Sequence, residues 1–205
     1  VKSIKTKTIY WILVDNLFKE PNGKKYLNSK FNFSEEDWKH IFTLPFKTVR
    51  EPRIQCLQYK LVLNVTPNNQ FLTRKKIKNS NLCDFCKNDK IDDTIHFFIE
   101  CPNSSKIWDD FKKIFNIDLT IKDIIVGKLD QERDHTSKAI NFCILYIKSL
   151  IHKSRLVNTK ITFMQIKEIL KYKINDERNI ANLNGTLESF GETWRWVIDR
   201  LNQQH

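Results

Sequence analysis

Turn-forming residues are scarce in this chain, with 4 Gly and 5 Pro among 205 residues. A β-rich fold draws most of its turns from Gly and Pro, so their scarcity favours long helices. No stretch alternates apolar and polar residues as a half-buried strand would, and no internal repeat is visible. A membrane-length run is also missing. The most apolar stretch, Ala139 to Ile151, is too short to span a bilayer and contains Lys148. The opening Val1-Lys2-Ser3 carries charge but no uninterrupted apolar segment, so no secretory signal is expected. A start at Val1 rather than Met is what a piece cut from a longer polypeptide would show. Acidic residues are the minority. The formal net charge is +11, and it is unevenly spread. Residues 1–80 hold 16 basic and 6 acidic residues, 81–120 hold 5 and 8, and 121–205 hold 14 and 10. A positive surface of this size favours polyanions, of which nucleic acid is the commonest. A lysine-rich solvated face of an AT-rich genome is the plainer explanation. Hydrophobic residues make up 40 % of the chain, with 14 Phe and 5 Trp, enough to build a real core.

Four residues in the middle carry the strongest chemical signal. Cys83, Cys86, His96 and Cys101 read C-x2-C-x9-H-x4-C. Three thiolates and one imidazole form a complete tetrahedral set for one structural zinc, with no open position for water or substrate. Four unrelated core residues are the alternative. That is the right reading of a lone Cys, but not of four such ligands within nineteen residues broken by polar insertions. Pro102 disfavours the α conformation at Cys101. A short helical turn therefore carries His96 and ends near Cys101, and a new helix starts at Pro102. Asn88-Asp89-Lys90 suits a surface loop. The cysteine set points to a reducing compartment rather than to a disulfide framework. Cys56 and Cys143 lie on apolar helical faces and are expected in the core.

The rest reads as helices. Ser3 to Phe18 places Ile9, Ile12, Leu13, Val14 and Leu17 on a broad apolar face. Pro21-Asn22-Gly23 ends it and opens a Lys/Asn-rich loop. Ser34 caps a short helix with Glu35, Glu36 and Asp37 in its first turn and Trp38, Ile41 and Phe42 on its apolar face. A third helix follows Pro52, with Ile54, Leu57, Gln58, Leu61 and Val65 aligned. Thr66-Pro67 signals a fourth, ending in Arg74-Lys75-Lys76-Ile77-Lys78. Further helices are expected from Pro102 to Phe115, from Thr120 to Gly127 through a Thr120/Asp123 cap, and from Asp134 to Arg155. Thr162 caps another, and Leu187 to Leu201 forms the last. The fold expected is all-α, a helical domain with an inserted CCHC zinc knuckle. Its N-terminal helical segment spans 1–80, its knuckle 81–102 and its C-terminal helical segment 103–205.

The order Trp38-x2-Ile41-Phe42-x2-Pro45-Phe46, Leu57-Gln58-Tyr59-Lys60-Leu61, Thr66-Pro67-Asn68, Cys83-x2-Cys86, His96-Phe97-Phe98-x2-Cys101 and Trp108 resembles the C-terminal region of non-LTR (LINE-type) retrotransposon reverse transcriptases. The ending Ile180-Ala181-x-Leu183-Asn184 with Phe190-x3-Trp194 is similar to that family's last helices. The resemblance implies Cys83, Cys86, His96 and Cys101 as zinc ligands. It also implies a role gripping element RNA or target DNA during target-primed reverse transcription, in an intracellular ribonucleoprotein found in nucleus and cytoplasm. Its partners would be RNA or DNA and the polymerase part of the same polypeptide, with no membrane. The chain has no Tyr-x-Asp-Asp motif, and no Pro-Asp of a restriction-like endonuclease. Asp110-Phe111-Lys112 lies on a predicted helix, and Asp92-Asp93 and Asp109-Asp110 read as surface acids. The chain is therefore expected to be no enzyme on its own, although the parent polypeptide would be an RNA-directed DNA polymerase.

Three functions follow as expectations. In a nucleic-acid-binding module, Arg74, Lys75, Lys76 and Lys78 contact phosphates. A second basic face of Lys148, Lys153, Arg155, Lys160, Lys167, Lys171 and Lys173 extends the track. Phe85 stacks on unpaired bases, and Phe97 packs around zinc. In a protein-interaction scaffold, the first helix with Tyr10 and Trp11 docks on the polymerase. In a thiol enzyme, the least favoured of the three, His40, His135 or His152 serves as base.

Overall fold

The computed structural model describes residues 20–86, 89–129 and 135–203. The expected first helix, Ser3 to Phe18, lies outside them. The described residues form helices joined by loops and contain no sheet. One isolated bridge joins Leu82 to Ile91. The elements are α1 (Asn22–Phe31), α2 (Glu35–Thr48), α3 (Pro52–Val62), α4 (Asn69–Arg74), a π-helical turn (His96–Glu100), α5 (Pro102–Phe115), α6 (Ile121–Val126), α7 (His135–Leu156), α8 (Phe163–Leu183) and α9 (Leu187–Asn202). The all-α expectation holds.

Capping residues set most boundaries. The hydroxyls of Ser34, Thr120 and Thr162 accept the backbone N–H of Asp37, Asp123 and Gln165. Those three side chains reach back to the capping residue in turn, so each box satisfies two orphan donors. Gly127 ends α6 at φ 92°, a conformation that favours glycine. The cap expected at Thr66-Pro67 falls two residues later. The Asn68 side chain accepts the Phe71 N–H at 2.8 Å, and α4 starts at Asn69.

Two stretches differ from their sequence reading. The Lys/Asn-rich stretch after Pro21 is not a loop but α1. Pro21 sits just before the first turn, where its missing N–H costs nothing. Leu27 buries itself in the core. Gly23 lets α1 approach the end of α3 so closely that a Cβ there would stand 2.2 Å from the Leu63 carbonyl carbon. Gly23→Ala must push two backbones apart. It is expected to cost about 2 kcal/mol, read as a lowered urea midpoint at unchanged slope. Helix α2 is longer than expected and runs through Pro45 to Thr48.

Helix α7 is the hub. It packs against α2, α3, α8, α9 and the π turn. From Ala139 to Lys148 every residue is buried, as a helix surrounded by others requires. That explains why this stretch is the most apolar in the sequence. No described helix is long and apolar enough to cross a membrane. Leu27, Phe98, Phe111, Ile147 and Leu201 belong to one hydrophobic cluster. Cys143 lies in it, and burial pushes its thiol up to about 12. Cys56, also expected inside, is exposed. Helix α3 turns Ile54, Leu57, Gln58 and Leu61 inward, and position 56 falls between those faces. Val65, expected to continue the inward face, lies beyond the helix end and is 41 % exposed.

Candidate metal centre

Cys83 and Cys86 are carried by a short hairpin. The Cys83 N–H donates to Lys90 O at 2.8 Å, and the Asp92 N–H donates to Asn81 O at 2.8 Å. These bonds bring the chain back over the first ligand pair. Asp89 helps close the loop in a left-handed conformation at φ 49°, which Asp tolerates better than most residues. His96 and Cys101 follow on the π turn. The Asp93 carboxylate accepts the His96 N–H at 2.7 Å and starts the turn. The Cys101 N–H closes it onto His96 O at 2.9 Å, a bond spanning five residues. The five-residue spacing does not fit one α-helical face. The wider π turn accommodates it, with the extra residue that such turns carry. Cys101 then caps α5, and Pro102 takes the first helical position, as expected.

The four ligand atoms lie within 4.8 Å of one another. Zinc–sulfur bonds of about 2.3 Å and zinc–nitrogen bonds of about 2.0–2.1 Å, set tetrahedrally, place sulfur and nitrogen about 3.5 Å apart. The Cys86 Sγ to His96 Nε2 distance is 3.5 Å. The cluster therefore fits a metal of this size, with a small contraction at the other ligands. Soft thiolates with one imidazole select zinc over the hard cations. Burial holds His96 below its usual range, which keeps the ring neutral and ready to ligate. Burial also pushes the metal-free Cys101 thiol up to about 11, so the metal must drive off its proton.

Around the ligands, charged side chains tie the hairpin to two helices. Asp92 is 1 % exposed and is not the surface acid its sequence setting implies. Its carboxylate accepts the Asn69 N–H at 3.0 Å, the first N–H of α4, and pairs with Arg155 of α7. Asn69 Nδ2 donates to Leu82 O and to Asp84. Lys78 pairs with Asp84 and also reaches Asn69 Oδ1 at 3.0 Å. Asp109 does lie on the surface, beside Lys112.

The residues expected to touch nucleic acid sort into two groups. Arg74, Lys75 and Lys76 are exposed at the end of α4, with Arg74 and Lys75 resting over the Phe71 ring. Lys78 is half-buried in its pair with Asp84. The second basic face breaks up. Lys148 is 1 % exposed and bonds Gln58 and Ile125 O. The Lys167 ammonium donates to Gln203 O. Lys171 pairs with Glu168, and Lys173 with Glu51 and Asp176. The Arg155 side chain is 7 % exposed. Positions 148 and 155 are two helical turns apart, so both fall on the inward stripe of α7. Lys153 and Lys160 remain exposed. Phe97 is buried and packs on Phe98, in line with its expected packing role. Phe85, expected to stack on bases, is half-buried with the Arg155 guanidinium 5.2 Å from its ring centre.

The histidines considered as bases take other places. His152 lies against Phe97 and Phe98, His135 contacts the Thr193 hydroxyl, and His40 faces Glu36. Asp92 and Arg155 are the parts of the centre that sequence reasoning missed. The only signal for Arg155 was its two-turn spacing from the apolar stretch.

Residues 24–108 match the family described as zinc-binding in reverse transcriptase. That segment contains all four ligands, so zinc is the metal this cluster is built for and the segment is a reverse-transcriptase-associated zinc-binding region. No curated protein and no solved structure matches the chain.

Proposed function

We propose that this chain is a zinc-stabilised nucleic-acid-binding module from the C-terminal region of a non-LTR, LINE-type retrotransposon reverse transcriptase. In this reading its CCHC knuckle organises a surface that grips element RNA or target DNA during target-primed reverse transcription, within an intracellular ribonucleoprotein. The chain does not catalyse on its own. The observation that carries the reading is the mounting of the basic run. Arg74, Lys75 and Lys76 project from the end of α4, and α4 is fastened to the metal hairpin through Asn69, Asp92 and the Lys78–Asp84 pair. A rigid base for exposed cations favours phosphate contact, whose affinity falls steeply with salt. The contact set is narrower than the sequence implies, because Arg155 is spent inside. It comprises Arg74, Lys75 and Lys76, with Lys153 and Lys160 at a second position.

Fluorescence anisotropy with labelled single-stranded RNA and duplex DNA tests this. Reversing Arg74, Lys75 and Lys76 to Glu is expected to weaken binding tenfold or more at low salt. On duplex DNA it should flatten the slope of log affinity against log salt by about 2–3. Unchanged affinity after the reversal, or no binding at low salt, defeats the proposal.

One observation keeps a second reading, a scaffold that docks the polymerase part of the same polypeptide. An apolar groove of about 670 Å³ opens between the end of α7 and the start of α8, lined by Leu150, Val157, Ile161, Met164 and Ile169. Tight binding of the polymerase domain, abolished by Met164→Glu, alongside weak nucleic-acid binding, selects that reading.

A further inference from the structure

Helix α7 reaches into the metal centre with one residue. The Arg155 Nη2 lies 3.4 Å from Cys83 Sγ and also pairs with the Asp92 carboxylate. One terminal nitrogen thus points its two N–H groups at a ligand sulfur and at a buried acid. The guanidinium carbon lies 4.0 Å from the Phe97 ring centre and 5.2 Å from that of Phe85. Phe97 directly follows the ligand His96, and Phe85 sits between the ligands Cys83 and Cys86. The side chain is 7 % exposed, so water does little to compensate its charge.

Burying a guanidinium is costly unless it is paired and hydrogen-bonded. Asp92 supplies one partner through Oδ1, while its Oδ2 accepts the N–H of Asn69. Cys83 sulfur is a second partner. Three thiolates around a divalent zinc leave one net negative charge on the centre. A cation in hydrogen-bond contact with Cys83 offsets that charge and draws electron density from the sulfur. Lysine could supply the charge, but its ammonium ends one bond short of the Nη2 position and has no planar face to lay over Phe97.

We infer that Arg155 is an outer-shell positioning residue of the zinc site. It donates an N–H···S bond to Cys83 and locks the metal hairpin onto α7. Retention of the metal and seating of the hairpin on the C-terminal helices are then one property, set by a residue outside the region that matches the zinc-binding family. The inference rests on the zinc reading of the cluster and goes beyond it, since the four ligands alone do not require a cation at this place.

The test uses the full chain with Arg155→Met and Arg155→Lys, loaded with zinc or with cobalt(II). Zinc affinity is read by competition with a chromophoric chelator. Arg155→Met is expected to bind zinc ten- to a hundredfold more weakly, the usual cost of losing an outer-shell partner. Arg155→Lys should lose three- to tenfold. In the cobalt form, losing the N–H···S bond raises the sulfur lone pairs in energy. The thiolate-to-cobalt charge-transfer band should therefore move to longer wavelength in both variants. A purely structural residue would not shift that band in a folded protein. Arg155→Lys keeps the charge, so it decides the matter if Arg155→Met does not fold. Unchanged affinity and an unshifted band in a folded variant overturn the inference while leaving the zinc reading intact. A wild-type chain that takes up no stoichiometric metal overturns the zinc reading itself.

Discussion

Cys83→Ser, or exhaustive chelation of the wild-type chain, is expected to lower the melting temperature by roughly 20 °C or more. The hairpin that holds Cys83 and Cys86 has one bridge, Leu82–Ile91, and two flanking backbone bonds. An isolated pair of short strands is marginal at best in water. Metal ligation supplies what is missing. Structural zinc sites contribute about 10 kcal/mol or more of apparent free energy, comparable to the whole net stability of a domain. The damage should spread in a definite order. Helix α4 loses the platform that caps it through Asp92, and the basic run on α4 loses its fixed position with it. The π turn should hold on longest, because Phe97, Phe98 and Ile99 are buried in the common core. Metal content by atomic emission, together with circular dichroism melting, checks the prediction. Cys56→Ser is the control, since that thiol is exposed on α3 and absent from the cluster. Equal melting of metal-free and loaded protein would remove the structural role assigned to zinc.

Lys148 carries the second large effect, and it is one of pH. Burial alone pushes its ammonium down to about 7, from an ordinary value of 10.5. Between those two values the unfolded chain holds a proton at this position that the native chain has shed. Stability therefore rises with pH across that window. At about 1.4 kcal/mol for each pH unit, the Lys148 contribution between pH 7 and pH 10.5 amounts to about 4–5 kcal/mol. Two other groups, one buried and one half-buried, run the opposite way. Cys143 and Tyr26 are both pushed up to about 12 by burial. Each favours the native state below its ordinary value and loses that contribution as pH climbs toward 12. A comparison with Lys148→Met cancels these terms. The difference in unfolding free energy between the two proteins, measured by urea titration at pH 7, 8, 9 and 10, should climb steadily in favour of wild type. A constant difference would mean that Lys148 keeps its charge in the fold. The Gln58 and Ile125 oxygens that meet the ammonium would then be sufficient to hold it.

What could be read from the sequence was mostly local. Ser34 with Asp37, Thr120 with Asp123, and Thr162 ahead of Phe163 and Ile166 each mark a helix start within four residues, and each start is where it was expected. The metal ligands were legible for the same reason, since all four fall within nineteen residues. What failed depends on distant partners. Asp92 and Arg155 are 63 positions apart, and each looks like an ordinary surface charge until the other is placed beside it. Lys148 meets Gln58 across 90 positions, which no local pattern reveals. Helix α1 was hidden in a Lys/Asn-rich stretch of weak periodicity. Its stability comes from Leu27 in the core and from the close approach at Gly23, and both are tertiary. Cys56 shows the opposite error: an apolar residue type was read as an inward position.

The π turn at His96–Glu100 also constrains how this region can change length. Its closing bond counts five residues from His96 to Cys101, and the ligand spacing counts the same five. Removing one residue converts the turn to an ordinary α-helical one and swings the fourth ligand away from the other three. It also pulls Phe97, Phe98 and Ile99 out of register with the core. Insertions and deletions are therefore excluded on the helical side of the centre. The gap between the histidine and the last cysteine stays fixed.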